Sequence, residues 1–194
     1  MPRTASGAAL CVVVAVAAAC ASTPPSRFYT LSPTAPSGTT TSKLTVVVGP
    51  VSIPALVDLP QMVVSTGPNQ VSIDEFNRWA SPLANNISRV VVENLVLLLG
   101  TPRVSQFQQS LNADADFRVA IEVQSFESAP GEAATLSAAW LVRRTRDGRA
   151  ETGRTTVREP ASDKGYDALA AAHSRALGRM SQDIADAVRT LDRA

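Results

Sequence analysis

The chain has 194 residues and carries 18 Lys and Arg against 17 Asp and Glu, a formal net charge of +1. This balance, without a basic stripe, argues against a nucleic-acid partner. A single His, His173, leaves no histidine cluster for a zinc site or a proton relay, so we expect neither a metal nor a cofactor.

The first twenty residues are typical of an exported protein. Arg3 gives a positive start, and residues 8–19 are an unbroken run of twelve small or apolar residues. This pattern matches a secretory signal peptide. As a helix the run covers only about 18 Å, too little for a membrane core of about 30 Å. We therefore expect residues 1–19 to be removed.

The sequence Ala17-Ala18-Ala19-Cys20 resembles the lipobox of bacterial lipoproteins, with Ala17 where Leu is usual. The likeness makes Cys20 the acylated N-terminus, carrying chains such as palmitate. The alternative is an ordinary signal cut after Ala19 or Ala21, beside a chance Cys. A lone free thiol is unusual in an exported protein, which favours the lipoprotein. Ala21, rather than Asp, favours the outer membrane by resemblance to lipoprotein sorting signals.

Processing leaves a neutral chain. Removing residues 1–19 takes away only Arg3 among the charges, so 18 becomes 17 against 17. Cys20 is then the one remaining Cys, which excludes disulfides and Cys-based nucleophiles. Residues 20–43 are rich in Pro, Ser and Thr and are expected to form a lipidated linker. The short segment Phe28-Tyr29-Thr30-Leu31 interrupts it and predicts a strand, or a clip that docks on the domain.

Residues 44–194 are expected to form one domain. Strand patterns occupy 44–48, 62–65 and 71–73, and Gly67-Pro68-Asn69 predicts a hairpin between the last two. Ser81, as N-cap before Pro82, predicts a helix with a broad apolar stripe, and this buried helix ends at Gly100.

The second half is β-rich before it ends in a helix. Residues 115–123 and 135–145 alternate with period two, and Asp147-Gly148 predicts a type I′ hairpin turn. Residues 151–158 are polar enough for an edge strand or a partly solvated strand. A last helix begins near Tyr166. The fold class is therefore α/β, a single layered domain with a mixed β-sheet and two long helices packed on it.

Several stretches are similar to the PqiC-like family of ABC-type transport auxiliary lipoproteins, which work with mammalian-cell-entry (MCE) proteins in intermembrane lipid transport. The likeness covers essentially the whole mature chain. Its stretches are Phe28-Tyr29-Thr30-Leu31, Val47-Val48-Gly49-Pro50-Val51, Leu59-Pro60-Gln61-Met62-Val63, Phe76-Asn77-Arg78-Trp79-Ala80-Ser81-Pro82-Leu83 and Tyr166-Asp167-Ala168-Leu169. Two positions depart from the family, which commonly has Arg at Leu59 and Glu at Ser81.

The resemblance implies a non-catalytic accessory lipoprotein, anchored in the outer membrane and facing the periplasm. Its implied partner is the MCE-domain component of an ABC lipid transporter, and some members assemble as rings of identical subunits. A different class stays open, an envelope structural or assembly lipoprotein that binds a β-barrel or peptidoglycan. No catalytic motif appears in the sequence.

Four residues are candidates for partner binding: Phe28, Tyr29, Arg78 and Trp79. Trp and Arg are enriched at protein interfaces. The alternative for the adjacent pair is that Trp79 packs the helix start on the sheet while Arg78 pairs with a carboxylate. An open edge at 151–158 is a third candidate surface, unless residues 28–31 cover that edge.

Other singled-out residues are expected to have structural roles. Trp140 alternates with core residues, and His173 lies on the apolar stripe of the last helix, where hydrogen-bonded packing is expected. Asp114 and Asp116 have the spacing of a metal pair, but a turn is the simpler interpretation. Arg143, Arg144 and Arg146 predict a solvated hairpin end, with a contact to anionic lipid or peptidoglycan as the alternative.

The lipid anchor can be tested at one atom. Cys20→Ala removes the thiol that takes the acyl group, so the variant should leave the membrane fraction or stay unprocessed. Fractionation of cells and the mass of the mature N-terminus measure this. A variant that fractionates like wild type, with no acyl mass on the wild-type N-terminus, would contradict the anchor.

Overall fold

A computed structural model of the protein describes residues 24–38, 41–107 and 115–194. Cys20, Asp114 and the signal peptide lie outside these residues. The described strands are β1 (Arg27–Tyr29), β2 (Val46–Ser52), β3 (Gln61–Gly67), β4 (Gln70–Trp79), β5 (Val104–Gln106), β6 (Phe117–Ala129), β7 (Ala133–Arg144) and β8 (Ala150–Pro160). The two helices are α1 (Leu83–Leu99) and α2 (Tyr166–Arg193).

The predicted mixed α/β domain is confirmed, and its strands divide into two sheets. The larger sheet has the order β5-β2-β6-β7-β8, with β2 parallel to both of its neighbours and β6, β7 and β8 antiparallel. The smaller sheet has the order β1-β4-β3. It combines the predicted β3–β4 hairpin with a strand from the N-terminal segment.

Both helices pack on the larger sheet. Helix α1 lies against β2 and β5, α2 lies against β7 and β8, and the helices contact each other. The alternating residues of β6 behave as predicted: Phe117, Val119, Ile121 and Val123 are buried. Pro82, not Ser81, is the N-cap of α1, and its side chain makes no capping hydrogen bond. Gly100 closes α1 with a left-handed φ of 62°, as the sequence predicts.

Strand β8 is an edge of the larger sheet, as predicted. The segment 28–31 does not cover this edge, because β1 pairs with β4 in the other sheet. The β7–β8 turn is longer than the two-residue type I′ turn expected from Asp147-Gly148. Five residues, 145–149, connect the two strands, and the Gly148 N–H donates to the Arg144 carbonyl at 3.0 Å within this turn.

A strap, residues 30–38, crosses the seam between α1 and α2. These residues belong to the stretch that the sequence assigns to the linker, yet Leu31 is only 1% exposed. The Gly38 N–H donates to the Leu97 carbonyl of α1 at 2.8 Å. On α2, a Cβ added at Gly178 would lie 2.3 Å from Thr34 Oγ1, so the strap needs glycine there to approach the helix.

Side chains of both helices satisfy the strap's backbone. Asn94 Oδ1 accepts the N–H groups of Thr34 and Ala35, each at 3.0 Å, and its Nδ2 donates to Ser181 of α2 at 3.2 Å. The Ser32 N–H donates to Ser174 Oγ on α2 at 3.1 Å. Asn94 is fully buried, so its amide joins the strap, α1 and α2 without competition from water.

Asn94→Ala should loosen the strap. The substitution leaves two backbone N–H groups without their acceptor, at a cost of about 1–3 kcal/mol in the free energy of unfolding. Urea unfolding measures the loss, and hydrogen exchange at the Thr34 and Ala35 amides should accelerate. The matched control is Asn85→Ala, at an exposed position of the same helix. Equal stability and exchange in the two variants would contradict the role of Asn94.

Candidate functional site

Tyr29 ties the N-terminal strand to the rest of the domain. Its hydroxyl donates to Asn77 Oδ1 on β4 at 2.8 Å, and its ring centroid lies 6.0 Å from that of Tyr166 at the start of α2. The Tyr166 hydroxyl in turn donates to Asp74 Oδ2 at 2.7 Å. Tyr29 therefore joins β1, β4 and α2 in one half-buried cluster.

Asp74 is the acceptor at the centre of this cluster. Burial opposes its ionisation, but hydrogen bonds from Tyr166, from Asn77 and from the Phe76 and Asn77 N–H groups outweigh burial and keep the pKa of Asp74 below its usual value. Burial and the Asp74 carboxylate raise the pKa of the Tyr166 hydroxyl. The neutral Tyr166 hydroxyl therefore donates to the Asp74 carboxylate, and this bond holds β4 against α2.

Arg78 and Trp79 do not form one site. They are adjacent on β4, so their side chains lie on opposite faces of the small sheet. Trp79 is 6% exposed and meets the Phe126 ring edge-on at 6.1 Å. Arg78 bonds to Glu75 at 3.4 Å. This geometry matches the packing alternative for the pair, and Arg78 is the more exposed of the two side chains.

The outer face of the small sheet carries exposed apolar side chains. Phe28 is 65% exposed, Ile73 46% and Val71 44%. Phe28 is opposite Arg78, while Ile73 and Val71 are opposite Val63 and Ser65 of β3. Val63 and Ser65 share one face of β3, so Val71 and Ile73 share that face, while Phe28 lies beyond a register irregularity at the other end of β4. Sequence analysis chose Phe28 but missed Val71 and Ile73, because alternation alone does not tell which face is covered.

A cleft of 460 Å³ opens beside the first turns of α1. Its polar lining includes Ser81, Asn85 and Ser88, and its apolar lining includes Val51 and Phe107. Two of the stretches that carry the family resemblance, 47–51 and 76–83, meet at this cleft. Ser81 here has no charge to offer a partner, where the family commonly has Glu.

Trp140 is a packing residue with one polar contact. It is 9% exposed, and Gly153 on β8 makes room for the indole, since a Cβ there would lie 2.1 Å from the ring. The indole N–H donates to Thr155 Oγ1 at 3.1 Å, and Thr155 donates to Asp183 of α2 at 2.5 Å. The chain of bonds fastens the β7–β8 edge to α2, which confirms the core role expected for Trp140.

The expectation of a solvated hairpin end is wrong for Arg144. Arg144 is 3% exposed, forms an ion pair with Asp147 at 2.5 Å and donates to the Leu191 carbonyl at the end of α2. The Arg144 hydrogen bond lowers the pKa of Asp147 to about 2. Arg144 therefore joins the β7–β8 turn to α2. Asp116 accepts the Thr45 N–H at 2.7 Å, a structural role for that carboxylate.

His173 is buried in the core, as expected. Its ring stacks on Phe126 at 3.7 Å between centroids, and Nε2 lies 2.8 Å from Ser128 Oγ. Nδ1 has no partner within the part of the chain that the structure describes. Burial lowers the pKa of His173 to about 3, because an imidazolium there would lose its hydration.

The depressed pKa of His173 predicts acid sensitivity. The unfolded chain binds a proton below about pH 6.5 and the folded one only near 3, so stability is complete above that range and falls as pH drops through it. The slope should approach about 1.4 kcal/mol per pH unit. His173→Gln removes the only imidazole of the chain and should flatten urea-unfolding free energies between pH 7.5 and 5.5. An unchanged slope in that variant would contradict the assignment.

Two features of the described residues limit the kind of site. Across the ranges 24–38, 41–107 and 115–194, no three His, Cys, Asp or Glu residues stand close enough together to hold a metal ion. Neither described helix is both long enough and apolar enough to cross a membrane.

Solved structures share this fold. The crystal structure of protein XCC0632 from Xanthomonas campestris, of the family DUF330, is 20% identical, with a TM-score of 0.69 over 87% of this chain and 100% of that chain. The crystal structure of an uncharacterised protein is 22% identical, with a TM-score of 0.69 over 85% and 99%. At these identities the likeness concerns the fold alone. A comparison with curated proteins finds no match.

A family model matches residues 29–185, which include every described element except the start of β1 and the last turns of α2. That family is described as the ABC-type transport auxiliary lipoprotein component. The match covers well over half of the chain. The protein therefore belongs to the family of ABC-type transport auxiliary lipoprotein components.

Proposed function

We propose that this protein is a non-catalytic accessory lipoprotein of an MCE-type ABC lipid transporter. Acyl chains on Cys20 hold it in the outer membrane, and its domain docks on the periplasmic MCE-domain component, linking that component to the membrane. Family membership supports the transport role. The observation that carries the adaptor role is the strap, which fastens the anchor-proximal chain to both helices.

The strap suits a protein that must bear tension. A pull on the lipidated end reaches first β1 and then residues 30–38, whose bonds run to α1 and α2 together. Arg89 adds to them by donating to the Leu31 carbonyl at 2.6 Å while bound to Glu93. The load is thereby shared by the helical layer of the domain rather than by a single loop.

The open edge of β8 is the docking surface that we propose. The strand is eleven residues long and pairs on one side with β7. Its other side offers backbone N–H and C=O groups to a partner's strand. Because the mature chain is neutral, docking would depend on such backbone and apolar contacts rather than on long-range attraction.

The non-catalytic assignment rests on where the titratable groups lie. His173 is enclosed in the core, and the lowered pKa of Asp147 reflects its pairing with Arg144. Asp74 is engaged by Tyr166. These groups serve packing and strand connection instead of facing a substrate cleft.

Site-specific photocrosslinking tests the docking surface. A benzophenone amino acid at Thr156, on exposed β8, should crosslink to the MCE-domain protein in cells. The control is the same group at Asp186, exposed on α2. Crosslinks from Thr156 to a barrel protein or peptidoglycan instead would favour the structural class. The same group at Asn85 tests the cleft, which that residue lines. Crosslinks from Asn85 alone would place the docking surface at the cleft. Crosslinks between copies would indicate a ring.

A further inference from the structure

The direction of β1 shows from which side the N-terminal segment enters the small sheet. β1 is parallel to β4, with Arg27 opposite Asn77 and Tyr29 opposite Trp79. Upstream of Arg27 the chain therefore points toward the beginning of β4, where the β3–β4 turn lies. Arg27 is therefore the end of β1 that is nearer to this turn.

The distances match as well. Cys20 is seven positions before Arg27, and Gln70, at the turn, is seven positions before Asn77. Seven residues extend to at most about 25 Å. A lipid on Cys20 can therefore lie level with the β3–β4 turn, and it cannot lie far beyond it.

The hairpin at this end has an unusual composition. No charged residue occurs between Asp58 and Asp74, a stretch that holds all of β3, the turn and the start of β4. Val71 and Ile73 on its outer face are 44% and 46% exposed, whereas Phe28, which is 65% exposed, lies opposite Arg78 at the other end of β4. The other large apolar side chains that are exposed within the described residues, Leu56 and Phe107, belong to loops outside the small sheet.

We propose that the outer face of the β3–β4 hairpin at its turn end, with Val71 and Ile73, rests on the lipid surface of the membrane that holds Cys20. Residues 59–73 carry no charge, so the turn end of the hairpin can enter the headgroup region without stripping water from an ion, while the Arg78–Glu75 ion pair lies at the other end of β4. The lipid occupant, rather than a second copy, follows from the short tether, which keeps this face beside the membrane.

The contact sets orientation rather than affinity. Several acyl chains already anchor the protein permanently, so a second contact adds little to membrane retention. Resting the hairpin on lipid instead fixes the tilt of the domain. This inference rests on the anchor at Cys20 and is independent of which periplasmic protein docks on β8.

Single-cysteine labelling tests the proposal, because the mature chain's only native Cys carries the lipid. Ile73→Cys receives an environment-sensitive NBD dye, and the lipidated full chain is reconstituted into phosphatidylethanolamine–phosphatidylglycerol vesicles. On the vesicles the dye should emit at a shorter wavelength than the same dye on the same variant in buffer without vesicles. Doxyl-labelled lipid should quench it several-fold more than the same dye at Thr156→Cys on β8. Gln70→Cys, at the turn, gives a second reading should Ile73→Cys fold poorly.

The outcomes separate this inference from the proposed function. Vesicle-bound protein with equally weak quenching at Ile73, Gln70 and Thr156 overturns the hairpin contact and leaves the anchor intact. Protein that does not stay with the vesicles overturns the anchor itself. A blue-shifted Ile73 dye that lipid does not quench means that a protein surface covers the face, which also overturns the contact.

Discussion

The amide of Asn94 is the contact on which the arrangement of this domain depends. A strap without regular structure can be buried only if its backbone N–H groups find acceptors. Asn94 supplies one acceptor for two of them and uses its remaining donor on Ser181. Because the same side chain bridges α1 and α2, the helix pair and the strap are stabilised together. Loss of the strap would leave a buried polar group between the helices.

Buried polar residues follow the same logic along α1. Asn86, one residue more than two turns before Asn94, accepts a bond from the Leu31 N–H at 3.4 Å and one from Arg89 at 2.8 Å. An apolar helix that packed only on a sheet would have no use for two buried asparagines. Their presence on the strap side of α1 shows that the N-terminal segment is part of the fold rather than a passive spacer.

The sequence was sufficient for the elements whose signal is local. Alternation in residues 115–123 predicted β6, and the apolar stripe with the C-cap Gly100 predicted α1, because period and helix stops are written in neighbouring residues. The pairing of β1 with β4 was not predictable in that way, since it joins residues fifty positions apart through three residues of strand. The burial of Arg144 was missed for a related reason: its partner carbonyl belongs to the far end of α2.

Among the candidate site residues, alternation separated what adjacency suggested was one site. Arg78 and Trp79 are neighbours in sequence but serve opposite faces of the small sheet, so one contributes to the surface and the other to the core. Phe28 and Tyr29 divide in the same manner across β1. One residue of each pair therefore holds the small sheet to the domain. Its exposed neighbour consequently lies on a rigid surface.

The two proposed surfaces lie on different sheets, and this separation matters for an adaptor. The hairpin face belongs to the small sheet, and the open edge of β8 belongs to the large one. The sheets are joined through the core, where Trp79 of β4 meets Phe126 of β6, and through Tyr29 and Asp74, which connect the small sheet to α2. A membrane under one surface and a partner strand on the other need not compete for residues. The rigid core between them would then fix the partner's position relative to the membrane.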